Sequence, residues 1–310
     1  MAGLKQIKSK IRSTEKTRKV TKAMEAVSAA KMRKAQNRAL AGRAYARAAA
    51  SILARVAGSQ ELARSPLTQR RTVKRALYIV ITADRGLAGG LNSNVLRASL
   101  ADITRQGDTA AIGIVAVGRK ANEFFSRRNY AIEVFHPNDG DTVSPELIRE
   151  LTNEAAQRFA MGDYDLVKIA YQNFVSTFEQ RPVIREIFPL SVEELQHMVA
   201  DILPTRGKYA DERTEIPQMN ADAPLAYTIE PSAEEIMNAI LPRLASIFVY
   251  HALLESQASE HSARMVAMKS ASDKGEEISH RLTLVFNKAR QAAITREVSE
   301  ITGGMDAMGT

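Results

Sequence analysis

Residues 76–90, Ala-Leu-Tyr-Ile-Val-Ile-Thr-Ala-Asp-Arg-Gly-Leu-Ala-Gly-Gly, decide the fold class. The first six are apolar, β-branched or aromatic, which predicts a strand over 76–81. The glycines at 86, 89 and 90 predict a tight turn, and a helical pattern begins near Leu91. A second apolar run, Ala110 to Val117, has no polar alternation, as in a parallel strand covered on both faces. A helix over Arg119 to Arg127 and a strand over Ile132 to Phe135 follow. Ser144-Pro145 places a capping hydroxyl before a proline at the first helical position, opening a helix to about Phe159. Leu166 to Phe174 and Val183 to Phe188 read as further strands. Ser191 with Glu194 forms a capping box for a helix to about Leu203. Strands alternating with helices predict a Rossmann-like open α/β body over 74–204.

Outward from this body, both ends of the chain read as long helices. No proline precedes Pro66 or follows Pro242, so nothing of that kind interrupts either arm. The arms span 1–65 and 231–306, and the polar stretch 205–228, with Pro217 and Pro224, reads as the link from body to second arm. In the first arm Leu4, Ile7 and Ile11 follow 3–4 spacing, as do Val20, Met24 and Val27, with Thr14 and Thr17 filling the gap. In the second, Leu254, Ala258, His261, Met265 and Met268 give a seam, interrupted by Ser270, Ser272, Asp273 and Gly275. It resumes at Ile278, Leu282, Val285 and Ala289, then at Ile294, Val298 and Ile301. Pro242 predicts a kink or restart, and Gly303-Gly304 a stop. A helix from Arg243 to Thr302 extends about 90 Å, too long for a domain of this size to enclose. Each narrow seam needs a partner helix, so the arms are expected to pair as a long antiparallel coiled coil.

The charge is uneven. The chain carries net +8, yet residues 1–75 hold 20 Lys and Arg against only Glu15, Glu25 and Glu61, a local +17. A basic arm of this density seeks an anionic surface: nucleic acid, lipid headgroups or acidic protein loops. Nucleic-acid binding by a basic coiled coil is therefore a rival reading, although Tyr45 alone supplies aromatic interleaving.

Enzymatic signatures are thin. With no cysteine, the chain has no disulfide, thiolate nucleophile or Cys-ligated metal. The five histidines (His136, His197, His251, His261, His280) are scattered, and no catalytic or metal-ligating motif occurs. The turn at 86–90 lacks the G-x-G-x-x-G spacing and no G-K-[ST] follows, so no nucleotide or other cofactor is expected there. No run of eighteen apolar residues occurs, and no apolar signal core opens the chain.

Four separated segments resemble one known family, the ATP synthase gamma subunits. Lys22 to Gln36, KAMEAVSAAKMRKAQ, resembles their N-terminal signature. Thr82 to Asn94, TADRGLAGGLNSN, resembles their central turn, usually written S-D-R-G-L-C-G-G-L-N, with Ala88 in place of the frequent Cys. Ala263 to Lys269, ARMVAMK, and Asn287 to Glu297, NKARQAAITRE, resemble the C-terminal signature. The resemblance implies a non-catalytic rotor. Its terminal helices would turn inside a ring of alpha and beta subunits, with the body beside the epsilon subunit and a membrane ring of c subunits. It implies that Met24 sits near where shaft meets ring, and that Arg264, Gln291, Thr295 and Glu297 couple the two. The basic arm would face acidic loops of the beta subunits. The expected place is the cytoplasmic face of a bacterial plasma membrane, as a peripheral protein. The cysteine-bearing insert of chloroplast members is absent, and no presequence is evident.

Overall fold

The computed structural model describes residues 2–56, 65–106, 111–138, 143–191 and 233–308. In chain order the elements are α1 (Ala2–Val56), β1 (Ala76–Ile81), α2 (Leu91–Gln106), β2 (Ile112–Val117), α3 (Arg119–Ser126), β3 (Ala131–His136), α4 (Pro145–Met161), β4 (Leu166–Phe174), β5 (Gln180–Phe188) and α5 (Ala233–Met308). The linker 205–228 and the helix expected after Ser191 lie outside the described residues. The chain divides into two compact units: 1–29 with 264–310, and 30–263.

The second unit holds the sheet. Its strand order is β3-β2-β1-β4-β5; β1 pairs in parallel with β2 and β4, and β5 runs antiparallel to β4. Every residue of β1 and β2 is buried, as their unbroken apolar runs required. The pleat divides these side chains between two cores. Leu77, Ile79, Ile81, Val115 and Val117 join Leu151, Ala155 and Phe159 of α4 and Leu241, Leu244, Phe248 and Leu253 of α5. Ala76, Tyr78, Val80, Ile112, Ile114 and Ala116 join Val95, Leu96 and Ile103 of α2 and Ala121 and Phe125 of α3. The sheet is therefore covered on both faces, which accounts for the absence of alternation.

Local signals set several boundaries. Ser144 Oγ accepts the amides of Glu146 and Leu147 at 3.1 and 3.3 Å, and Pro145 occupies the first turn of α4. The helix ends at Gly162, whose φ of 82° is the left-handed cap that glycine adopts without a Cβ penalty. Neither the restart expected at Pro242 nor the stop expected at Gly303-Gly304 occurs. The helix passes through Pro242 without ending, because Leu241 and Leu244 on either side are buried in the sheet core and hold the segment helical. It also continues through Gly303-Gly304 to Met308. Glycine weakens a helix by about 1 kcal/mol but, unlike proline, keeps its N–H donor.

In the first unit, α1 shows a covered stripe at Leu4, Ile7, Ile11, Thr14, Arg18, Thr21, Glu25 and Ser28. The expected continuation through Thr17, Val20 and Val27 is corrected: all three are exposed, Val20 at 58% and Val27 at 54%. A strict 3–4 repeat from Leu4 lands on polar residues there, and those are the residues covered. On α5 the stripe runs through Met268, Ser272, Gly275, Ser279, Leu282, Phe286, Ala289 and Ala293. Ile278, Leu282 and Ala289 are half-buried as expected, while Phe286 takes the place assigned to Val285, which is exposed. Ile294, Val298 and Ile301, expected as seam, are 53%, 54% and 60% exposed. The helices meet at Arg18, whose guanidinium lies 3.7 Å from the carboxylate of Glu276.

Candidate functional site

The glycine turn after β1 is where an open α/β sheet of this order would hold a ligand. Beside it, the start of α3 has its first amides bonded within the chain. The first turn of α3 exposes backbone amides that favour an anion. Asp84 Oδ1 accepts the amide of Arg119 at 2.7 Å, and Thr82 Oγ1 accepts that of Ala121 at 2.9 Å. Thr82 Oγ1 in turn donates to the carbonyl of Val117 at 3.1 Å, and Asn138 Nδ2 donates to the carbonyl of Thr82 at 2.8 Å. Asn92 Oδ1 accepts the amide of Ala83 at 2.9 Å. The protein's own carboxylate therefore fills the anion position of α3. Gly118 joins β2 to α3 at φ 93°, and a Cβ there would collide with the Thr82 carbonyl. This cap network was missed in the sequence, because Asp84 acts on a helix 35 residues away; the only local signal was a Thr and an Asp of the N-cap class just before the turn.

Two titratable clusters lie in the same unit. Asp102 Oδ2 accepts from Tyr78 Oη at 2.7 Å and from Lys168 Nζ at 2.9 Å. Burial opposes the charge on Asp102. Hydrogen bonds from Lys168 and Tyr78 outweigh it, and the carboxyl is held below the usual carboxylate range. Burial and the same carboxylate raise the Tyr78 phenol far above its ordinary value. In the other cluster, Glu133 accepts from Arg158 Nη1 at 2.6 Å and from Tyr164 Oη at 2.9 Å. The Arg158 bond, against burial, holds the Glu133 carboxyl low. Burial, then the bond to Glu133, pushes the Tyr164 phenol up to about 12. Gly113 makes room for that phenol, since a Cβ there would overlap its hydroxyl. Both clusters tie elements together: Asp102 binds α2 to the sheet, and Glu133 binds β3 to α4.

A cleft of about 270 Å³ lies elsewhere, lined by residues including His136, Asn138, Ser144, Glu150 and Leu253. Neither cluster lines it. Among the described residues, no three His, Asp or Glu side chains are grouped to hold a metal ion.

The residues that the resemblance singles out all lie in the first unit. Met24 and Arg264 are half-buried, and Gln291, Thr295 and Glu297 are exposed. Gln291 and Thr295 are in direct contact: Thr295 Oγ1 donates to the carbonyl of Gln291 at 3.0 Å, one turn back. The others are spread along two helices, and none of them lines the cleft at His136. Such an arrangement presents side chains over a long surface instead of converging them on a reacting atom. Among the described residues, no helix is long and apolar enough to cross a membrane.

Comparison with known proteins matches this geometry. The family model described as ATP synthase covers residues 3–308. The ATP synthase gamma chain of Heliobacterium modesticaldum is 38% identical over 309 residues, spanning 100% of both chains. That of Ralstonia nicotianae is 39% identical over 311 residues, spanning 99% of this chain and 100% of its own. Among solved structures, a chain of the Euglena gracilis mitochondrial ATP synthase superposes with a TM-score of 0.62 at 19% identity, over 99% of this chain and 95% of that one. A chain from the central stalk and c-ring of the Tetrahymena thermophila enzyme gives 0.60 at 24% identity, over 82% and 99%. The structural likenesses establish the fold, and the full-length identities establish the lineage: this chain belongs to the ATP synthase gamma-chain family.

Proposed function

We propose that this chain is the central shaft of an ATP synthase, a non-catalytic rotor that couples rotation of a membrane ring to the catalytic sites of the alpha and beta subunits. The observation that carries the reading is the match between two helical stripes. From Arg18 toward the N-terminus, covered residues of α1 step by 4, 3, 4 and 3 to Thr14, Ile11, Ile7 and Leu4. From Gly275 toward the C-terminus, those of α5 step by 4, 3, 4 and 3 to Ser279, Leu282, Phe286 and Ala289. Toward the other end, α1 steps by 3 and 4 to Thr21 and Glu25, and α5 steps back by 3 and 4 to Ser272 and Met268. With Gly275 set against Arg18, which it touches, these steps agree when the helices are read in opposite directions, and this supports an antiparallel coiled coil. In this register α5 extends past the residue opposite Ala2, leaving Ile294, Val298 and Ile301 as an apolar single-helix tip.

In this reading Met24, Arg264, Gln291, Thr295 and Glu297 are the coupling surface. Met24 is flexible and polarizable, which suits a contact that must re-form as the shaft turns. The ring of alpha and beta subunits surrounds the tip, acidic loops of the beta subunits face the basic α1, and the α/β body meets the epsilon subunit and the c-subunit ring. The shaft acts as a ligand with different contacts in each state, and so shifts the catalytic sites among their states. As a peripheral subunit it works on the cytoplasmic face of the bacterial plasma membrane. The matched family and relatives lend the nucleic-acid reading of the basic arm no support.

The test is reconstitution of Mg-ATP hydrolysis from purified alpha and beta subunits of the same source, with and without this chain. Sustained hydrolysis that requires the chain, and that falls in Gln291→Ala or Thr295→Ala, is the expected result. Failure to assemble with intact alpha and beta subunits overturns it.

A further inference from the structure

Three side chains of α5 bond the backbone of the β4–β5 hairpin. Glu255 Oε2 accepts the amide of Phe174 at 2.8 Å. Ser259 Oγ donates to the carbonyl of Gln172 at 3.1 Å, and Ser262 Oγ donates to that of Thr177 at 2.7 Å. Spacings of four and three put all of them on one helix face. Ser259 and Ser262 are completely buried, and Gln172 is 1% exposed. Gln172 extends the row: its Nε2 donates to the carbonyl of Leu91 at 2.6 Å, where α2 leaves the glycine turn. A bonded path thus runs from α5 through the β4 backbone to the turn that carries the family's central signature.

Earlier on α5, contact with the body is apolar, through Leu241, Leu244, Phe248 and Leu253. Apolar burial is non-directional: it favours contact without specifying how the helix is rotated about its own axis. Hydrogen bonds are directional, and a buried one that breaks leaves a desolvated polar group. The polar row at 255–262 therefore adds directional contacts at fixed positions to the apolar ones. It sits just before α5 runs on toward Met308.

We propose that Glu255, Ser259 and Ser262 form a torsional clamp: positioning residues that stop α5 turning against the α/β body when torque passes between them. This rests on the rotor reading and adds to it where, within this chain, torque is held. If the clamp slips, hydrolysis at the ring continues while part of the rotation is lost before it reaches the membrane. Coupling should fall before catalysis does.

The experiment uses the whole membrane-bound complex in inverted vesicles, with ATP hydrolysis and ATP-driven proton pumping measured on the same preparation. Wild type is compared with Glu255→Ala, the double variant Ser259→Ala/Ser262→Ala, and the conservative Glu255→Gln and Ser259→Thr. The clamp predicts that protons pumped per ATP drop by about twofold or more in the alanine variants, with hydrolysis largely kept. It also predicts recovery in Glu255→Gln, whose amide oxygen still accepts from Phe174, and in Ser259→Thr, which keeps its hydroxyl. An unchanged ratio overturns the clamp. So does a fall of pumping and hydrolysis in equal proportion, which marks a merely structural role. If the wild-type chain itself is not required for pumping, the rotor reading fails instead, so the two failures are distinct.

Discussion

Gly275 of α5 packs directly against Arg18 of α1: a Cβ at Gly275 would lie 3.4 Å from Arg18 Cβ and 3.9 Å from its Cα. Room therefore exists for one methyl group in ordinary contact and for little more. Gly275→Ala should hold or raise stability, by up to about 1 kcal/mol, because alanine is the better helix former. Gly275→Phe should lower it by about 1–3 kcal/mol, as overpacking does. Thermal melting of the two variants beside wild type checks the sign of each; equal effects would mean the helices do not meet there.

The Asp102–Lys168 pair should behave as a coupled unit. The two side chains are 14% and 10% exposed and 2.9 Å apart. Asp102→Asn or Lys168→Met alone leaves a charge without its partner and should cost about 3 kcal/mol, toward the low end for buried pairs. The double variant removes both charges and should be less destabilised than the sum of the singles. Denaturant melts of all four proteins give the interaction energy, and strict additivity would contradict the coupling.

Stability should fall at both extremes of pH, for opposite reasons. Asp102 and Glu133 have carboxyls held below their ordinary values of 3.8 and 4.5. Their contribution is complete above those values and is lost as the pH falls through and below them. Tyr164 has its phenol raised from 10.0 to about 12. Its contribution is complete below pH 10.0 and is lost as the pH rises toward about 12. Melting temperature against pH should therefore show an alkaline decline that Tyr164→Phe makes shallower between those limits, while the acid decline stays.

The apolar tip should matter to assembly and not to the isolated chain. Ile294, Val298 and Ile301 are more than half exposed, so replacing all three by serine removes little burial within the chain. Stability, read by denaturant melting, should change little, by about 0.5 kcal/mol or less per site. Binding to the alpha and beta subunits should weaken, because those side chains are available only to a partner. A variant that assembles with unchanged affinity would contradict the proposed burial of the tip.

Legibility differed between the two units for one reason: how far the deciding interaction lies along the chain. β1 and β4 were placed residue for residue, because an apolar β-branched run of strand length has few alternatives. The start of α4 was equally plain, since Ser144 and Pro145 act on their own helix. On α5, Leu254, Ala258, His261 and Met268 are buried, but so are Ser256, Gln257, Ser259 and Ser262, so burial there is broader than an apolar seam. On α1 apolar type and covered position part company. Val20 and Val27 are apolar and exposed, while Arg18, Thr21 and Ser28 are covered, and apolarity marks surface meant for any partner, not only the facing helix.

What the sequence alone determined was the kind of each element and the family to which the chain belongs, since propensity, capping and ordered motifs are local. What only the tertiary structure decided was the rotation of α1 about its axis, the passage of α5 through Pro242, and the capping of α3 by Asp84. Each of these depends on groups brought together from far along the chain, where packing overrides local preference and a carboxylate finds a helix end that its own neighbours do not predict.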